Sequence, residues 1–244
     1  QPNAILDLNA NITVSNEFDA ARLNGFKQIN DTVYQAAIEP ENAPINMSPW
    51  YAFKLKAEIN RRVHIHLKYK DGRHRYYPDL STDGLNWNPI DSSMYQVYEN
   101  DSVVISLDLN SKYLWLAAQE LRTSKMNSKW VNSLLKYSGT NKTVIGKSRD
   151  GKELTALEIA VKDSSPLLVI ISRQHPPEVT GYMAMQSFVE EILADNDLSK
   201  SFLTEFSVVV LPMLNPDGVD NGHWRHNLGG VDLNRDWQYY NQPE

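Results

Sequence analysis

The chain has 244 residues, with 24 Lys+Arg against 30 Asp+Glu, six His and no Cys, for a formal net charge of −6. That length suits one large domain or two modest ones, and the 41% hydrophobic content belongs to a chain with a sizeable core, not a disordered one. Disulfides, thiolate metal sites and a cysteine nucleophile are excluded, no apolar run reaches the ~18–20 residues of a membrane-spanning helix, and the acidic balance offers no basic face to nucleic acid.

In chain order, the first half reads as strands. Val33–Ile38 is a short apolar-rich run, Tyr51–Ala57 and Val63–Tyr69 alternate apolar with polar, and Ser102–Leu109 does the same. Turn pairs such as Asp71-Gly72 and Asp83-Gly84 bound them, which predicts antiparallel strands with one face in a core and a small β-sandwich over about residues 1–120. His64 and His66 share a strand face; a metal pair is one reading, and the solvated face of a strand is the plainer one. Trp50, Tyr51 and Trp87 suit a sugar platform or, more simply, packing.

The second half changes period. A connecting helix is predicted over Lys125–Ser138 and a turn at Ser148–Lys152. Strands follow at Leu154–Val161, Leu167–Ile171 and Phe206–Leu211, with an amphipathic helix over about Val179–Ala194. The continuous apolar run Leu167–Ile171 predicts a strand buried on both faces, and strand–helix–strand predicts a βαβ unit in a partly parallel sheet. The expected division is residues 1–124 as an all-β antiparallel sandwich and 125–244 as an α/β domain.

Loops after parallel strands are where α/β proteins place their sites. After Ile171 comes Arg173-Gln174-His175-Pro176-Pro177-Glu178. Its H-x-x-E pair can supply an imidazole and a carboxylate to a metal, or can be a helix N-terminal turn with Glu178 favoured by the dipole. After Leu211 come the turn Asn215-Pro216-Asp217-Gly218, then His223-Trp224-Arg225, then Asp232-Leu233-Asn234-Arg235-Asp236-Trp237. Arg235 with Asn234 suits bidentate recognition of a carboxylate, or Arg235 pairs with Asp232 or Asp236. Arg225 can polarise a carbonyl or lie idle on a surface loop.

Taken in order, His175-x-x-Glu178, Asn215-Pro-Asp-Gly218 and Asp232-Leu-Asn-Arg235 resemble the M14 zinc carboxypeptidases. The strings Arg173–Glu178 and Leu228–Trp237 look most like the subgroup typified by the cytosolic carboxypeptidases and their bacterial relatives, and Ser48–Lys54 resembles its preceding β-sandwich more loosely. The resemblance implies a mixed sheet with flanking helices of the phosphorylase/hydrolase-like kind and hydrolysis of the last peptide bond of a peptide or protein. It also implies a Zn2+ cofactor on His175 and Glu178, substrate carboxylate binding by Asn234 and Arg235, and Arg225 as the electrophile beside the scissile carbonyl. The family's third ligand, a His, and its general-base Glu both follow the Asn-Arg pair by many residues. Both are expected beyond this chain, and His223 and His226 sit in the wrong loop to replace the ligand.

The chain is therefore expected to be an incomplete α/β domain behind a sandwich, a piece of a longer enzyme with little zinc and no peptidase activity of its own. Two other readings stand beside it: a deacylase of N-acyl amino acids within the same superfamily, and a non-catalytic binding module with a degenerate peptidase domain. No nucleic-acid or membrane partner is expected. A chain beginning at Gln1 and free of Cys fits export with the signal removed over a cytoplasmic setting.

Overall fold

Strict alternation along Arg61–Tyr69 puts Val63, Ile65 and Leu67 in the core and leaves Arg62, His66 and Lys68 exposed, because a period of two sends successive side chains to opposite faces. The same rule organises most of the first half. The computed structural model describes the chain except residues 1–4, 9–10, 44, 46–47 and 99–101, with the backbone alone for residues 5–8. The chain divides into two compact units, residues 1–121 with 220–225 and residues 122–219 with 226–244.

The first unit holds strands β1 (Ile5–Leu8), β2 (Ile12–Ser15), β3 (Gly25–Gln28), β4 (Val33–Ile38), β5 (Ala52–Ala57), β6 (Arg61–Tyr69), β7 (Asp79–Ser81), β8 (Asn88–Pro89), β9 (Tyr95–Val97), β10 (Val103–Leu109) and β11 (Leu114–Ala117). They form a six-stranded sheet in the order β1-β2-β5-β11-β7-β8 and a five-stranded sheet in the order β3-β4-β6-β10-β9. The sheets share a buried core, in which Phe26 of β3 meets Phe53 of β5 edge-on at 6.1 Å between ring centroids. The expectation of a wholly antiparallel unit is corrected at one place: β4 and β6 pair in parallel. The chain between them passes through β5 in the other sheet, and such a crossover is what returns a strand in the same direction. Trp50 and Tyr51 are buried, with the Trp50 indole donating to the Ala20 carbonyl at 2.8 Å, so they pack and form no sugar platform. The segment 220–225 belongs here through Ala20 N–H to Asp220 O (2.7 Å) and the fully buried Trp224, whose indole donates to the Trp50 carbonyl at 3.1 Å.

The second unit contains helix α1 (Ser124–Leu134), strands β12 (Thr140–Lys147), β13 (Glu153–Ile159), β14 (Leu167–Ile171) and β15 (Ser207–Leu211), and helices α2 (Val179–Ile192), α3 (Asp197–Glu205) and α4 (Pro216–Asp220). Thr123 caps α1 by accepting from Met126 N–H, and Asn196 with Ser199 forms a capping box on α3, which satisfies donors that have no partner inside a helix. The sheet order is β12-β13-β15-β14, antiparallel except for the parallel β14/β15 pair that the α2–α3 crossover produces. Val131, Leu157, Tyr182, Met185, Val189 and Val208 lie in one core cluster between helices and sheet, so the Met and aromatic stripe of α2 is packing. The strand at Leu167–Ile171 departs from the expectation of two buried faces. Leu168 and Ile170 pack on the core, but Leu167, Val169 and Ile171 are 57%, 49% and 39% exposed. Among the described residues it stands at the edge of the sheet and is covered on one side, and continuous apolarity alone does not separate that case from a central strand.

Candidate active site

The site grows from the two loops that leave the carboxyl ends of the parallel pair. Beyond β14 and β15 the two loops stay together. Ser172 N–H donates to Leu211 O (2.9 Å), Leu214 N–H to Ser172 O (3.1 Å) and Asn215 N–H to Arg173 O (3.1 Å). The fully buried Asn215 then closes the arrangement, donating Nδ2 to Gln174 O at 3.1 Å and accepting Gly218 N–H on Oδ1 at 2.8 Å. Gly218 has no alternative, since a Cβ there would lie 2.6 Å from Asn215 Nδ2 and 2.7 Å from His226 O. The buried Asp217 accepts from Ser148 Oγ (2.8 Å) and Asp150 N–H (2.9 Å), with Lys152 Nζ at 3.5 Å. Asn-Pro-Asp-Gly is thus a built polar hinge, more than the strand terminator its turn chemistry announces.

Arg173 holds the first loop from the other side. It takes a left-handed backbone (φ +53°), is buried, donates Nη2 to Pro176 O at 2.7 Å and Nη1 to Arg122 O at 3.3 Å, and lies over the Tyr182 ring. Tyr182 donates to Asn127 Oδ1 and accepts from Gln186 Nε2, each at 3.1 Å. Burial pushes its phenol up to about 12, with Arg173 and Arg122 opposing the rise.

On this frame sits His175, nearly buried, with Glu178 three residues on at the N-cap of α2. The Glu178 carboxylate makes no cap bond to the helix; its Oε1 lies 2.8 Å from His175 Nδ1. Glu178 thus stands at the helix start and also forms an imidazole–carboxylate pair. The other ring nitrogen, Nε2, is 3.0 Å from Asp232 Oδ1. Asp232 is also the N-cap of a short 3-10 turn, Leu233–Arg235, and the same Oδ1 accepts Asn234 N–H at 2.9 Å. One carboxylate therefore ties the His-x-x-Glu loop to the Asn-Arg turn. Sequence reasoning set Asp232 aside as a partner for Arg235; the one signal for its real use is its Asx-cap spacing, two residues before Asn234.

Asn234 and Arg235 are exposed. Arg235 Nη1 donates to the Asn234 carbonyl at 2.9 Å and makes no ion pair among the described residues, while Asp236 accepts from Asn241 and Gln242 N–H. The Arg–Asp pair weighed from sequence is not formed. Arg225 belongs to the first unit, where Glu41 accepts both Trp224 N–H (2.7 Å) and Arg225 N–H (2.9 Å).

An imidazole Nδ1 and a carboxylate oxygen 2.8 Å apart share a proton, and a divalent cation replaces that proton with the same two donors. An outer carboxylate on the remaining imidazole nitrogen is the usual support of a metal-binding His. The donor set fits zinc as two ligands with an orienting partner. Among the described residues no group of three or more His, Asp or Glu is arranged to hold a metal ion.

Residues 128–244 match the sequence model of the M14 peptidases, the zinc carboxypeptidases. The protein ZMO1242 of Zymomonas mobilis is 22% identical over 233 residues, 93% of this chain and 59% of that protein. Human cytosolic carboxypeptidase 1 is 38% identical over 73 residues, 30% of this chain and 6% of that protein. A metallo-carboxypeptidase of Pseudomonas aeruginosa superposes with a TM-score of 0.78 at 22% identity, over 93% of this chain and 61% of that one. The fold is thus the mixed α/β arrangement of several sheets and few helices found in carboxypeptidases, and the chain spans about three fifths of the length of the relatives it matches most fully.

Proposed function

We propose, from the match of residues 128–244 to the sequence model of the zinc carboxypeptidases, that the whole protein is a metallocarboxypeptidase that removes the last residue of a peptide or protein. In this reading residues 1–124 form a β-sandwich domain and 125–244 the first part of the catalytic α/β domain. The carrying observation is His175, bracketed by Glu178 on Nδ1 and Asp232 on Nε2. His175 and Glu178 would hold the metal, with Asp232 orienting the imidazole. Zinc supplies Lewis acidity to such a site when bound.

The residues of this chain then do the recognising. Arg235 is free of any acidic partner among the described residues, so its guanidinium is available for a bidentate grip on the substrate's terminal carboxylate, with the Asn234 amide as a further donor. Arg225 is proposed as the electrophile from the family resemblance alone. With two protein ligands in this chain, zinc is held weakly and the 244 residues by themselves do not cleave peptides.

The test is release of a free amino acid by the whole protein from a peptide and, separately, from an N-acyl amino acid. Peptide cleavage is expected, with kcat/KM falling roughly 10- to 100-fold in Arg235→Gln, the loss of a charge-assisted contact. Turnover confined to N-acyl amino acids supports the deacylase instead, and no turnover of either supports a binding module.

A further inference from the structure

The five-stranded sheet turns one face outward, and β6 carries a row of cationic and imidazole side chains along it. At one end the charges are matched. Arg62 is paired with Asp108 at 2.6 Å, and His64 Nδ1 is 2.8 Å from Ser106 Oγ. At the other end they are not. His66 and Lys68 have no hydrogen-bond or ion-pair partner among the described residues, nor has Arg73 in the following turn, whereas the intervening Lys70 is paired with Glu39 at 3.4 Å.

These three side chains line one cleft of about 420 Å³, together with Gln35, Tyr69 and Ser102. Gln35 stands beside His66 in the parallel β4/β6 register. Among the described residues the lining of the cleft includes no Asp or Glu. The backbone that presents the cations is held by specific contacts. Lys70 N–H donates to Ile38 O at 2.9 Å, Asp71 takes a φ of +57°, and Gly72 lies so close to Trp224 that a Cβ would meet the ring at 2.8 Å. Tyr69 is held by its hydroxyl, 2.8 Å from His74 Nδ1.

We propose that this cleft binds a small anion bearing two or more carboxylate or phosphate groups. Lys68 and Arg73 both line the cleft, and a bridging dianion gains a charge-assisted contact with each, the one at Arg73 bidentate. Gln35, Ser102 and His66 supply hydrogen-bonding partners for the remaining oxygens. The volume lies in the range of small-ligand sites. A monoanion such as acetate satisfies one cation only.

The experiment is calorimetric titration of the 244-residue chain with citrate and, in a separate arm, pyrophosphate, with acetate as control. Saturable one-to-one binding of one or both polyanions is expected, weakening about tenfold in each of Lys68→Gln and Arg73→Gln and unchanged in Lys27→Gln on β3 of the same sheet. The stronger arm names carboxylate or phosphate as the natural chemistry. All three positions are at the surface, so the variants fold, which circular dichroism checks. Absence of saturable binding in both arms, or equal weakening in all three variants, overturns the proposal. Neither result bears on the zinc site.

Discussion

His175 has a carboxylate at each ring nitrogen, and the two have different jobs. Glu178 is more than half exposed and stands at Nδ1, whereas Asp232 is mostly buried and stands at Nε2. Asp232→Asn keeps the shape but removes the charge that orients and enriches the imidazole. Zinc affinity, measured by competition with a chelator, is expected to fall roughly 10- to 100-fold, the usual cost of losing an outer carboxylate. An unchanged affinity contradicts the orienting role. His175 and Glu178 were legible because a spacing of three into a helix start brings two side chains to one side of a loop. Asp232 was not, since it meets His175 across 57 residues of sequence, and its local mark, the cap spacing to Asn234, does not point to His175.

At the scale of elements, the loop that carries His175 is set by the parallel strand pair and tied by Asn215. Removing that amide in Asn215→Ala strands the Gln174 carbonyl and the Gly218 N–H in a buried place, at roughly 1–3 kcal/mol for each group. Gly218→Ala drives a methyl into Asn215 and the His226 carbonyl. Urea unfolding should show both variants destabilised by more than a typical surface change of about 0.5 kcal/mol; wild-type midpoints contradict the clamp. Most strands here were readable because alternation reports a one-sided core. Pairing was not: the parallel β4/β6 contact and the edge position of β14 depend on which strand lies alongside, and period two is silent on that. Leu167, Val169 and Ile171 look in sequence like a central strand and stand at an edge among the described residues.

For the molecule as a whole, neither compact unit is one continuous stretch, because residues 220–225 return to the first. Their string, Asn221-Gly222-His223-Trp224-Arg225, contains no signal of that return beyond one large aromatic, which is fully buried. No helix among the described residues is long and apolar enough to cross a membrane. The proposed function rests on a motif set whose order resembles that of the M14 family and on the contact of His175 with Glu178 and Asp232. The most direct test is therefore zinc titration of the 244-residue chain beside its His175→Ala and Glu178→Ala variants. One weak site per chain is expected, lost in His175→Ala and further weakened in Glu178→Ala. Tight stoichiometric zinc in the unaltered chain, or zinc that persists when His175 is gone, would contradict the account.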